Sequence, residues 1–186
     1  MPIRYLIDTN VLIPFYSKDF WLELGSRGLP IHWSVSIEAE FRRVWARLYP
    51  ARAGQATDLL ALMHTIVPDW RAPESRKVIQ EVRLPDPADR HVLAAAVGVG
   101  AEVIVTRNLR DFPPSVLAPY GVEARAPDRV LCDLFDDRPN LILAAGAAMR
   151  ARPKRPPQSP DEWLAGLAAG HFPDLAARLQ AHKANL

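Results

Sequence analysis

Acidic residues stand at four places where a folded chain can gather them. The β-prone run Tyr5-Leu6-Ile7 stops at Asp8, and the apolar run Val103-Ile104-Val105 is followed by Thr106, Asn108 and Asp111. In an open parallel sheet ligands bind outside the carboxyl ends of the strands, so the two runs deliver polar groups to one edge. A third acid, Asp89, opens a helix behind Asp86-Pro87-Ala88 and can serve the helix dipole while still pointing at a cleft. Glu38 and Glu40 lie on opposite borders of a stripe made by Ile37, Phe41, Val44, Trp45 and Leu48, so only one of them can face a site beside the core. Carboxylates packed within a few ångströms repel and cannot all stay ionised without a cation. Hard oxygen donors suit Mg²⁺ or Mn²⁺, whereas zinc prefers His and Cys. Each acid also has a plainer role open to it. Asp8 can cap the helix that follows, Asp86 reads as an N-cap ahead of a proline at the first helical position, and Asp111 can be a turn residue.

The elements that must position these groups alternate between strand and helix. Helix is expected over Thr9–Tyr16 and again over Phe20–Arg27, then a strand at Ile31-His32-Trp33, and a helix over Ile37–Leu48 with Ser36 as its cap. Further helices are expected over Arg52–Ile66 and Glu74–Val82, followed by the small-residue helix Asp89–Val99, whose alanines and glycines let it sit close against a sheet. Val103-Ile104-Val105 reads as a parallel strand covered on both faces, Val122-Glu123-Ala124 as a short edge strand, and Asp128–Phe135 and Leu141–Arg150 as helices. The prolines of Arg152-Pro153-Lys154-Arg155-Pro156-Pro157 then interrupt the chain before two last helices, Asp161–Ala168 and Pro173–His182. The pattern implies an α/β fold with a central parallel sheet flanked by helices. It divides into a unit over residues 1–130 and a helical C-terminal extension over 131–186, with a Pro/Arg-rich linker at about 151–160.

Composition narrows the class. With 186 residues, 49% of them apolar and 24% charged, the chain has the make-up of an ordinary soluble domain. No apolar run reaches membrane-spanning length, and Met1-Pro2-Ile3-Arg4 runs straight into a strand with no secretory architecture. A single cysteine, Cys132, excludes an internal disulfide framework and fits a reducing, cytoplasmic setting, and it has no partner at zinc-ligand spacing. A formal charge of +2 and a pI near 8.9 are compatible with a nucleic-acid partner.

Four stretches resemble the PIN-domain nucleases, specifically the VapC-like toxin ribonucleases of toxin–antitoxin pairs. Leu6-Ile7-Asp8-Thr9-Asn10-Val11-Leu12 is similar to the family's opening strand with its first acid, and Trp33 to Glu40 resembles the segment carrying the second. Asp86 to Ala96 resembles the third segment and Val103 to Phe112 the fourth. The resemblance selects Glu40 over Glu38 and implies a catalytic set of Asp8, Glu40, Asp89 and Asp111, with Asp8, Asp89 and Asp111 holding one or two Mg²⁺ or Mn²⁺ ions directly or through water. Many relatives carry Asp where this chain has Asn108, which leaves Asp111 as the fourth carboxylate. Thr9, Asn10, Ser36, Thr106 and Asn108 are expected to orient the acids, while Arg107 and Arg110 flank the acidic edge as RNA contacts. The resemblance implies hydrolysis of RNA, with transfer RNA as the leading substrate, to products with a 5′-phosphate and a 3′-hydroxyl. It also implies a small antitoxin partner and a homodimer. It covers residues 3–112 and says nothing of 131–186. His91 reads more readily as a structural histidine than as a base, and the basic run Arg150–Arg155 more readily as a solvated linker than as an RNA clamp.

Competing readings fit less well. A haloacid-dehalogenase-like phosphatase wants a second Asp where this chain has Asn10, and a dinucleotide-binding turn wants glycines that Asp8-Thr9-Asn10-Val11 lacks. A non-catalytic PIN-like scaffold that binds RNA or protein would be free to lose the four acids, and all four are present.

Overall fold

Four short strands suffice to bring the acids together, because they pair in one parallel sheet. The computed structural model describes residues 2–152 and 158–186. Strands β1 (Tyr5–Ile7), β2 (Ile31–His32), β3 (Val103–Val105) and β4 (Glu123–Arg125) run in the order β2-β1-β3-β4, all parallel, with β4 at the edge. β1 and β3 pair as Tyr5↔Val103, Leu6↔Ile104 and Ile7↔Val105. The next residues, Asp8 and Thr106, therefore leave the sheet side by side, and Asp8 N donates to Val105 O at 3.1 Å. The chain runs outward from β1 to β2 and returns on the far side as β3, so the β1/β3 boundary is the switch point where a crevice opens. Every residue of β1 and β3 is buried, as strands covered on both faces require.

The first helices differ from the expected ones. Thr9–Tyr16 is not one helix: α1 (Thr9–Leu12) ends ahead of Pro14, whose extended backbone starts α2 (Phe15–Ser26) five residues before the expected Phe20. The ring of Pro14 and its missing N–H account for the break. On α3 (Val35–Leu48) the cap is Ser34, not Ser36. Ser34 has the extended conformation of an N-cap and accepts from Ile37 N, whereas Ser36 lies inside the first turn and donates to Glu74 Oε2 at 3.0 Å. The α3 stripe is buried only at its start, since Ile37 and Phe41 are covered while Leu48 is 52% exposed.

Beyond α4 (Gln55–Ile66) and α5 (Arg76–Glu81), Asp86 accepts from Ala88 N at 2.8 Å and caps a 3-10 turn at Pro87–Asp89, as the sequence suggested. That turn feeds α6 (Arg90–Val99), which packs its alanines against β1 and β3. Gly98 serves a different contact from the expected one. A β-carbon there would lie 1.9 Å from Pro73 O, so the glycine admits the segment before α5 rather than the sheet. Gly100, at φ +67°, ends the helix in the left-handed conformation that glycine adopts at least cost.

After α7 (Pro114–Leu117) come α8 (Pro127–Asp137), α9 (Pro139–Ala151), α10 (Pro160–Ala169) and α11 (Pro173–Leu179). They pack on α2 and on one another, and the apolar core runs without a break from the sheet into Trp163, Phe172, Leu175 and Leu179. Phe20 of α2 meets Phe172 with ring centroids 6.4 Å apart. The Asp128 carboxylate accepts from Asp174 N and Leu175 N and so caps α11 from another helix. The expected linker at about 151–160 and the run Arg150–Arg155 lie partly outside the described residues. Their described arginines are tied to the fold, although Arg152 stays exposed: Arg152 pairs with Asp19 and Glu23 on α2 at 2.8 and 2.6 Å, and Arg150 donates to Gln158 O and Leu186 O. Among the described residues no helix is long and apolar enough to cross a membrane.

Gly98→Ala should destabilise the protein by about 1–3 kcal/mol, the usual cost of forcing atoms into a filled contact. Urea unfolding followed by circular dichroism measures it, and an unchanged midpoint would refute the close approach.

Candidate active site

The residues following β1 and β3 are tied crosswise. Asp8 is 5% exposed. Its Oδ2 accepts from the Thr106 hydroxyl at 2.7 Å and from Asn10 Nδ2 at 2.5 Å. Asn10 Nδ2 also reaches Thr106 Oγ1 at 3.0 Å, and Asn10 Oδ1 accepts from Arg107 N at 3.0 Å. Asn108 N donates to Thr106 Oγ1 at 3.1 Å, so one buried hydroxyl gathers both chain segments.

α3 sends its two acids opposite ways. Glu38 is buried, accepts from Trp33 Nε1 at 3.1 Å and contacts His64, which stacks on Trp70. Glu40 faces the crevice, where the Thr9 hydroxyl donates to its Oε2 at 2.9 Å. His91 Nε2 stands 3.5 Å from the same oxygen, and His91 Nδ1 donates to Ala88 O at 2.7 Å. A carbonyl only accepts, so Nδ1 carries a proton.

The cleft so formed has a volume of about 580 Å³. Asp8, Glu40, Asp86 and Asp89 supply its acidic wall, Arg47, Arg107 and Arg110 its cations, and Ile13, Pro14 and Val44 an apolar lip. Asp111 stands one step behind this wall, receiving Asn108 Nδ2, while Asn108 itself lines the cleft. Ser36 contacts none of the four carboxylates, because Glu74 takes its hydroxyl. Asp86 and Arg47 were not read from the sequence as site residues. Asp86 was accounted for by its capping role, and Arg47 sits two helical turns after Glu40, a spacing that would have found it. Arg107 Nη2 is buried with no acceptor among the described residues.

The charges are crowded. Burial, aided by the Glu40 charge, pushes the Asp8 carboxyl up to about 6 despite the Thr106 hydrogen bond. Burial does the same to Asp89, also to about 6, with Asp8, Asp86, Asp111 and Glu40 all repelling its charged form. Glu40 moves the other way: His91 and the Thr9 hydroxyl hold it below the usual carboxylate range against the effect of burial. Burial depresses His91, but Glu40 and the Ala88 carbonyl outweigh it and leave the ring above its ordinary value. The site therefore folds with more negative charge than it can keep ionised, which is the condition a cation relieves. Its donors are carboxylates, hydroxyls and amides, and the Cys132 thiol, pushed up to about 11 by burial, takes no part. Among the described residues no three His, Cys, Asp or Glu side chains enclose an ion by themselves. Mg²⁺ keeps several waters and binds through one or two carboxylates together with phosphates, so this donor set fits it and not zinc.

Comparison with known proteins agrees with the geometry. The family model described as PIN domain matches residues 4–110, and one described as VapC50 C-terminal domain matches residues 127–181. Over 90 residues the chain is 42% identical to "Putative ribonuclease VapC50" of Mycobacterium tuberculosis (strain ATCC 25618 / H37Rv), an overlap of 48% of this chain and 53% of that relative. The match thus spans about half the length of the curated relative. No solved structure matches.

The raised carboxyls have a thermodynamic consequence in metal-free protein. Between about pH 4 and 6 the folded state keeps protons on Asp8 and Asp89 that the unfolded chain releases, so stability falls as pH rises through that window. Asp8→Asn removes one of these penalties while its amide oxygen still accepts from Thr106. In EDTA the variant should be more stable than the parent by roughly 2–3 kcal/mol at about pH 7.5 and nearly equal to it at about pH 4. Calorimetric melting at both pH values checks this, and a gap independent of pH would contradict it.

Proposed function

The chain belongs to the PIN-domain family, and from that premise we propose that it is a metal-dependent endoribonuclease, the toxin of a toxin–antitoxin pair. The observation that carries the proposal is the acidic wall itself. Asp8, Glu40 and Asp89 come from three separate elements to one cleft, where Glu40 raises both aspartates and Asp8 raises Asp89, with Asp111 adding its field from behind. Packing alone gives no reason to bear that repulsion.

Asp8, Asp89 and Asp111 are the residues we assign to hold Mg²⁺ or Mn²⁺, directly or through water, with Glu40 completing the set. When bound, the ion supplies Lewis-acid stabilisation of phosphate charge and a water of lowered pKa. The chain's own groups do the positioning. Thr106 and Asn10 fix the Asp8 carboxylate, and Thr9 and His91 fix Glu40 in its ionised form. Asn108 links Thr106 to Asp111. The unmet Nη2 of Arg107, with Arg110 beside it, suits a phosphate oxygen on the RNA backbone. The apolar lip of Ile13, Pro14 and Val44 limits water on one side.

RNA is thus the substrate we propose, with transfer RNA the first to test, and a small antitoxin protein and a second copy of the chain are the partners. We assign the nuclease unit to the residues ahead of α8 and treat the following helices as its extension. α8 runs unbroken through residues 130 and 131, which favours a boundary slightly before the one the sequence suggested.

Asp8→Asn should lower cleavage roughly 10²–10³-fold, because losing an ion-holding carboxylate weakens the stabilisation of charge developing on the phosphate. EDTA should stop the wild type and added Mg²⁺ or Mn²⁺ restore it, with fragments bearing 5′-phosphates when their ends are sequenced. Undiminished cleavage by the variant, or cleavage in EDTA, would end this assignment.

A further inference from the structure

The trough does not stop at Glu40. Beyond the Glu40–His91 contact lies a second cavity of about 650 Å³, walled by Ser36, Ala39, Arg42, Arg43, Ala88 and His91. The two cavities share a ridge, since His91 stands 3.5 Å from Glu40 and Ala88 directly precedes Asp89. They follow neighbouring rows of α3: Glu40, Val44 and Arg47 line the acidic cleft, whereas Ser36, Ala39 and Arg43 line its neighbour.

Their charges are opposite. The first cavity is walled by four carboxylates and the second by none. Two of the polar groups in the second are already engaged. The Ser36 hydroxyl is held by Glu74, and Arg42, though exposed, pairs with the buried Glu38, its Nη2 3.6 Å away. Arg43 is the exception. It is exposed, makes no salt bridge among the described residues, and stands over the small side chain of Ala39, which leaves the cavity open. Its field reaches Glu40, whose carboxyl it helps to hold down.

We propose that this second cavity is a phosphate subsite for the RNA strand on one side of the cleavage point, with Arg43 as its anion-binding group. The proposal rests on the nuclease reading and extends it. A polyanion crossing a wall of carboxylates gains little from that wall, so its hold on the protein must come from flanking phosphates. The volume lies within the roughly 300–1,000 Å³ usual for small-ligand sites, enough for a nucleotide unit to enter. The cavity is open to solvent, so a strand leaving the acidic cleft can lie along it with a phosphate against Arg43.

The test compares wild type, Arg43→Gln and Arg43→Lys in the 186-residue chain. A labelled single-stranded oligoribonucleotide is bound across a salt series with Ca²⁺ replacing Mg²⁺, read by fluorescence anisotropy, and cleavage is followed separately in Mg²⁺. Arg43→Gln should weaken binding roughly tenfold and reduce the slope of log affinity against log salt by about 0.7, while Arg43→Lys recovers most of both. Thermal melting of the variants should match wild type, since the side chain is exposed. Unchanged affinity and slope in Arg43→Gln, with the oligonucleotide still cleaved, overturns the subsite and leaves the nuclease standing. Arg43-dependent binding without cleavage by the wild type removes the nuclease reading and keeps the subsite. Neither binding nor cleavage removes both.

Discussion

The constraint on which this molecule turns is repulsion among carboxylates forced to share one cleft. Asp8 and Asp89 are pushed toward neutrality by burial and by neighbouring carboxylates, Glu40 in both cases, while Glu40 is kept charged by His91 and Thr9. Such an arrangement persists only because the groups around it are fixed. Parallel pairing of β1 with β3 sets Asp8 beside Thr106, and one hydroxyl then orders Asp8, Asn10 and the loop that leads to Asp111. A sheet slipped by one residue would turn these side chains to its other face and disperse the site.

Helix α3 shows how a single element separates two acids by role. Glu38 and Glu40 are two residues apart, which on a helix means about 200° of rotation. One is drawn into the core by an indole N–H and a stacked histidine, and the other is left at the crevice with a hydroxyl and an imidazole. The inner one anchors the helix so that the outer one has a fixed bearing. The same helix carries Arg43 and Arg47 along its outer side, so the acid at Glu40 is followed by two bases along the groove.

The sequence was most legible where local pattern and tertiary role coincide. Asp8 and Thr106 end apolar runs that are strands, and Asp86 caps where a proline follows it, so these places could be read directly. Ser36 was misread because Ser34 and Ser36 both precede the same apolar run, and only backbone conformation separates a cap from a first-turn residue. The break at Pro14 was hidden because the flanking residues are all helix-compatible. Arg150 and Arg152 resembled a solvated charge run. Their acceptors, Asp19, Glu23 and the Leu186 carbonyl, are distant along the chain and carry no local signal. Glu40 could not be separated from Glu38 by periodicity at all, since what decides it is the indole and imidazole waiting on one side.

The late helices do more than lengthen the chain. Phe172 lies against Phe20, Asp128 accepts from the backbone of Asp174, 46 residues after it, and Arg152 straps the end of α9 to α2. The second helix, α2, is therefore packed and strapped by residues much later in the sequence. During synthesis the chain emerges from its N-terminus first. The acidic residues leave the ribosome well before Phe172 does, and until then Phe20 has no aromatic ring to rest against. A nascent copy thus carries its full acidic set while the late helices that cover α2 are still to come.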